Sequence, residues 1–202
     1  MGAYGKLGVR WAALLGALFG ATGCGEDAGH AHITGFLTVP GCITAPAGSE
    51  NCAGDAGPGA AVCDTFDLGI DFLTLEREGD QVIVRLQHGG EDFANEDGLF
   101  LHLADLTLPR GRLGEPIAVG PEEPVRAALA LFERCPASPQ SFELRGQVTF
   151  TEFGVSKGDR VMGNLDELVV RDARTGALLG RLHGDFDFTV RRGPPYRRFS
   201  GP

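Results

Sequence analysis

The groups in this chain that can ligate, transfer protons or cross-link fall into a few sets. His30 and His32 form a His-x-His pair, which can seat copper or zinc, but with no third ligand nearby the pair reads as solvated. Glu91, Asp92, Asn95, Glu96 and Asp97 offer oxygens for calcium between Gly89 and Gly98, yet not at the spacing of an EF-hand loop, so a solvated hairpin tip is expected there. Asp67, Asp71, Asp185 and Asp187 are the residue type that glycosidases pair for acid and base work. Sugar sites usually also stack rings on Trp or Tyr, and beyond the apolar N-terminal segment only Tyr196 is of that kind. His88, His102 and His183, and the serines at 49, 138, 141, 156 and 200, have no partner that the sequence identifies. GxSxG, HExxH, P-loop, dinucleotide and CxxC motifs are all missing. No catalytic residue, no metal and no cofactor is assigned on this basis, and a protein that is not an enzyme is expected.

What must position these groups is β-sheet. Leu144, Gly146, Val148, then Val161, Gly163, Leu165, then Leu182, Gly184, Phe186 repeat one glycine-centred alternation, and Ile33, Gly35, Leu37, Val39 is a fourth copy expected in the same sheet. Polar residues stand between the apolar ones, as in strands with one wet face. Gly154 to Gly158 and Asp172 to Gly176 supply turns. The phase slips between Leu165 and Leu168, which predicts a bulge at Asp166 or Glu167. A second slip, after Phe66, Leu68, Ile70 and Phe72, predicts another at Leu73. Gly79 and Asp80 turn the chain towards Val82, Val84 and Leu86. Between Pro109 and Pro124 an edge strand with loops is expected. The run 122–134 fits a strand or a helix, and strand is preferred because strands surround it. Glycines 146, 163 and 184 are candidates to align across strands, making room for Phe rings or lining a cavity; unrelated bulges and bends are the alternative.

The first ten residues carry Lys6 and Arg10 and no acid, and Trp11 to Phe19 is short and apolar, as in a secretory signal. Ala21, Thr22, Gly23, Cys24 resembles the lipobox of bacterial lipoproteins, with Ala21 where that family usually has Leu; ordinary cleavage without lipid is the alternative. The chain as a whole resembles uncharacterised bacterial envelope lipoproteins with a β-sandwich body, through this stretch and through segments such as 158–163 and 184–188. The resemblance implies lipid on Cys24, anchorage in an envelope membrane and, with Gly25 rather than Asp next, the outer one. It carries over no binding or catalytic residue.

With Cys24 acylated, Cys42, Cys52, Cys63 and Cys135 form an even set, suited to two disulfides in an exported chain. Cys42 and Cys135 each mark the end of an element, so the pairing Cys42 with Cys135 and Cys52 with Cys63 is preferred among three connectivities. Loss of Lys6 and Arg10 moves the formal charge from −9 to −11, which disfavours nucleic acid. Only the tail, with Arg191, Arg192, Arg197 and Arg198, is basic.

The organisation expected is a signal at 1–23, a flexible tether at 24–32, one antiparallel β-sandwich or Greek-key or meander barrel at 33–190, and a basic tail at 191–202. The function expected is display of that domain to an envelope protein or lipid partner. A calycin-like barrel carrying an apolar ligand is the first alternative and an undetected hydrolase the second.

Overall fold

A computed structural model describes residues 29–42, 66–78, 81–89, 96–135, 137 and 140–190. The signal segment, Cys24, Cys52, Cys63, the turn at Gly79 and Asp80, and the basic tail lie outside the described residues, as do Glu91, Asp92 and Asn95. In chain order the elements are β1 (Gly29–Leu37), β2 (Phe66–Asp67), β3 (Phe72–Glu78), β4 (Gln81–Gln87), β5 (Gly98–Leu103), α1 (Thr107–Gly111), β6 (Pro116–Val119), β7 (Val125–Leu131), β8 (Gln140–Phe153), β9 (Arg160–Arg171) and β10 (Leu178–Thr189).

The chain is all-β, and its ten strands form one continuous sheet in the order β2-β1-β10-β9-β8-β6-β7-β5-β4-β3. The pairing is not purely antiparallel, because β6 meets β7 in parallel through Val119 and Val125. The sheet curls into a half-barrel. Its two edge strands, β2 and β3, are joined by residues 68–71 alone, and the five steps from Asp67 to Phe72 reach at most about 18 Å. Leu68 N donates to Ile33 O on β1, and Asp71 N donates to Gln87 O on β4, so this link holds the two margins together. It also corrects the bulge expected at Leu73. The phase changes there because the chain leaves one edge of the sheet and starts the other.

The long alternations form the three longest strands. Leu144, Val148 and Phe150 of β8, Val161, Leu165, Leu168 and Val170 of β9, and Leu182, Phe186 and Phe188 of β10 are all buried, while Glu143, Arg145, Gln147, Asn164, Arg181 and His183 are exposed. These inner faces join Ile33, Val84, Leu86, Leu101 and Leu129 in one apolar cluster. Phe66, Phe150, Phe186 and Phe188 are fully buried within it, with Phe150 and Phe186 edge to face at 5.8 Å. At roughly 1.5–3 kcal/mol for each large side chain buried, this filled core is the main force holding the curl.

The run at 122–134 contains strand β7. Strand β6 is no edge strand. It lies between β7 and β8, pairing Pro116 to Val119 with Thr149 to Gly146. The bulge in β9 stands where expected, because Asp166 pairs with Gln147 and Val169 with Arg145, leaving Glu167 and Leu168 opposite Gly146. The three glycines do not form a row. Gly163 pairs with both Phe150 and Phe186, and a Cβ there would stand 2.6 Å from the Phe186 ring. Gly146 faces the bulge, while a side chain on Gly184 would run into the His32 carbonyl on β1.

Candidate interaction surface

The expected tether ends earlier than His32. Strand β1 starts at Gly29 because Gly29, Ala31 and Ile33 continue the pairing with Phe188, Phe186 and Gly184 of β10. That places His30 and His32 on the outer face of a strand, opposite Asp187 and Asp185. His30 Nε2 lies 3.5 Å from Asp185 Oδ2, and His32 Nε2 lies 3.8 Å from Asp67 Oδ2 on β2. Next along, His183 Nε2 lies 3.3 Å from Thr34 Oγ1. Arg160 of β9 grips Asp187 with two guanidinium nitrogens. These bonds hold the Asp187 carboxyl below the usual carboxylate range, chiefly through the Arg160 hydrogen bonds, and raise Arg160 in return.

Four neighbouring strands thus carry an outer ladder of imidazoles and carboxylates. His30 at 69% and Asp185 at 49% are open to solvent, whereas Asp187 beside Arg160 is at 18%. The partners missing from the local sequence of His30 and His32 come from β2 and β10. They do not make a chelate: no three His, Cys, Asp or Glu side chains among the described residues are grouped so as to hold a metal ion. As isolated exposed pairs they contribute at most about 1 kcal/mol each to stability.

A second cluster closes the seam where the sheet margins approach. Asp97, one of the calcium candidates, is completely buried at the start of β5 and is no part of a solvated tip. Its Oδ1 accepts from Glu133 N at 3.0 Å and Arg134 N at 3.3 Å, and its Oδ2 lies 3.0 Å from Arg134 Nε. Arg134 also donates to the carbonyl of Asp67 at 2.6 Å, and its guanidinium stands 4.9 Å from the Phe66 ring centre. Beside it, His88 Nδ1 stands 2.7 Å from Gly69 O, with Asp71 and Glu133 carboxylates each 3.8 Å from the ring. Asp71 Oδ1 accepts from Gly89 N at 2.8 Å. Cys135 follows Arg134 directly and is disulfide-bonded to Cys42, with the two Cα atoms 4.4 Å apart. That is the pairing preferred from the sequence. The Arg134–Asp97 pair is not legible in the sequence, since nothing local marks two residues 37 positions apart as partners.

The remaining candidates stay separate. His102 on β5 lies 3.2 Å from Gln81 Oε1, far from the ladder in the sheet order. Burial, then the charge of Arg126, pushes the His102 imidazole below its usual value. Ser141 is exposed on β8, and Ser156 N donates to Asp159 Oδ2 in the β8–β9 turn. No family model, curated protein or solved structure matches this chain.

Proposed function

We propose that this chain is an exported lipoprotein, anchored through lipid on Cys24 to an envelope membrane, whose curled β-domain binds a partner and catalyses nothing. The observation that carries the reading is the division of the domain into a filled apolar inside and a polar outside. Phe66, Phe150, Phe186 and Phe188 occupy the centre, so the inward faces are used for packing rather than for lining a ligand site. We therefore read the curl as a filled barrel rather than a sandwich or a calycin-like carrier. The polar groups stand outside, where the ladder of His30, His32, Asp67 and Asp185 presents exchangeable donors and acceptors to an approaching surface.

The lipobox-like stretch before Cys24 supports the anchor, and the Cys42–Cys135 bridge suits an oxidising compartment. Native mass spectrometry of the protein purified from its own envelope tests the reading. An empty protein that captures an envelope partner, with capture weakened by His32→Ala and Asp185→Ala, is the expected result. A lipid retained in most molecules would favour the carrier.

A further inference from the structure

We infer that one end of the β-domain, formed by the Arg110–Gly114 turn and the β8–β9 turn, rests against the membrane, with Leu113 entering an interface of anionic lipid. This rests on the lipid anchor proposed above and adds an orientation to it. Cys24 precedes Gly29 by five residues, a reach of about 18 Å at most, so the end of the domain that holds Gly29 stays close to the bilayer.

Register identifies that end. Gly29 pairs with Phe188, Phe188 with Val161, and Val161 with Phe153, so the start of β1, the end of β10 and the β8–β9 turn lie side by side. Val190 N donates to Asp159 O at 2.7 Å, and Gly158 N donates to Val190 O at 2.9 Å, which fixes the point where the chain leaves β10 at the same place. From there the sequence continues into Arg191 and Arg192. The α1 segment belongs to this end as well. Gly114 N donates to Phe150 O at 2.8 Å, only three residues before the end of β8.

The side chains there suit a headgroup region. Leu113 is 48% exposed, one of two large apolar side chains so exposed among the described residues, and it stands between Arg112 and Gly114. Arg110 and Lys157 are exposed and have no carboxylate partner among the described residues. Of the acids described nearby, Glu115 pairs with Arg112 and Asp187 with Arg160, while Asp105 and Asp159 accept hydrogen bonds from Thr107 and from the backbone of Val155 and Ser156 and keep their charge. Glu152 adds one exposed carboxylate, facing Arg160. An apolar side chain flanked by uncommitted cations beside a lipid anchor is the pairing of signals that holds a protein face to an anionic surface.

The other exposed apolar residue, Leu178 at 43%, provides the control. It opens β10 at the opposite end, paired with Arg171. The chain's one tryptophan is Trp11, in the signal segment, so Leu113→Trp and Leu178→Trp each give the processed protein a single reporter. The lipidated protein is reconstituted in phosphatidylcholine vesicles with and without phosphatidylglycerol, floated, and quenched with bromine-labelled lipid. The expected result is flotation of both variants, with the emission of Leu113→Trp shifted to the blue and quenched several-fold more than that of Leu178→Trp, and more strongly with phosphatidylglycerol present. Flotation with equal quenching, or with Leu178→Trp the more quenched, overturns the orientation and leaves the anchor standing. Equal quenching of Leu113→Trp in both lipid mixtures overturns the anionic part. Failure to float overturns the anchor and the orientation with it.

Discussion

Glu167 takes a left-handed backbone, φ 48°, with its carbonyl oxygen 2.7 Å from where a Cβ on Gly146 would stand. The bulge in β9 and the glycine in β8 therefore require each other. The bulge keeps Leu165 and Leu168 both inside, although they stand three positions apart, and so preserves the core on either side of the slip. Gly146→Ala places a methyl group against fixed backbone, which should cost about 1–3 kcal/mol in urea unfolding, as overpacking does. Glu167→Gly relieves the left-handed strain but frees the unfolded chain, so it should lie within about 1 kcal/mol of the parent. A harmless Gly146→Ala would mean that β9 can run without its bulge.

The Cys42–Cys135 bridge joins positions 93 residues apart, tying the segment after β1 to the end of β7. Chain-entropy arguments assign such a loop roughly 4–5 kcal/mol. The double variant Cys42→Ala, Cys135→Ala should lose most of that in equilibrium unfolding, and non-reducing peptide mapping of the parent should recover the two cysteines in one linked fragment. Recovery of Cys42 joined to Cys52 would refute the assignment.

The strands were legible where alternation ran long. In β8, β9 and β10 alternation runs on both sides of each phase slip through strands of 12 to 14 residues, and both turns and the bulge in β9 could be located from residue types alone. Less could be read where the sheet changes partner. Phe66 to Leu75 alternates almost without pause, yet β2 and β3 sit at opposite margins of the sheet, because alternation records which side faces the core and not which neighbour is bonded. The outer ladder was half legible. His30 and His32 were visible as a pair, but their carboxylates arrive from β10 and β2 through a register fixed only by folding.

Acid should weaken the fold in two steps. His102 is held below its ordinary value of 6.5 by burial and by Arg126, so the unfolded chain takes up that proton more readily than the folded one. Its contribution is complete above about pH 6.5 and is lost as the pH falls below that. Asp187 is held below 3.8 by Arg160, so its contribution is complete above that value and is lost as the pH falls through the folded one. Asp105 and Asp172, lowered by bonds from Thr107 and Thr175, act in the same direction as Asp187. Melting temperature followed against pH should show both steps. His102→Gln should flatten only the upper one, while Asp187→Asn should reduce the lower one without abolishing it. An unchanged upper step in His102→Gln would assign it to another group.

Arg134 is the residue through which the curl is most directly held. It meets the buried Asp97, the carbonyl of Asp67 at the end of edge strand β2, and the ring of Phe66. Arg134→Ala leaves the Asp97 carboxylate buried with only two backbone donors, so a loss of about 3 kcal/mol is expected. Adding Asp97→Asn should recover part of it. The amide introduced by that substitution keeps an oxygen for the backbone N–H groups of residues 133 and 134 but carries no charge that needs a guanidinium. The pair also makes a kinetic prediction, because Arg134 reaches both Asp67 and Asp97, which lie on separate parts of the sheet. In Arg134→Ala, amides near the seam, such as Leu68 and Asp71, should exchange with solvent faster by a larger factor than amides in β9, measured under conditions where the variant stays folded. Uniform acceleration across both regions would make Arg134 a general contributor to stability rather than the clasp between the sheet margins.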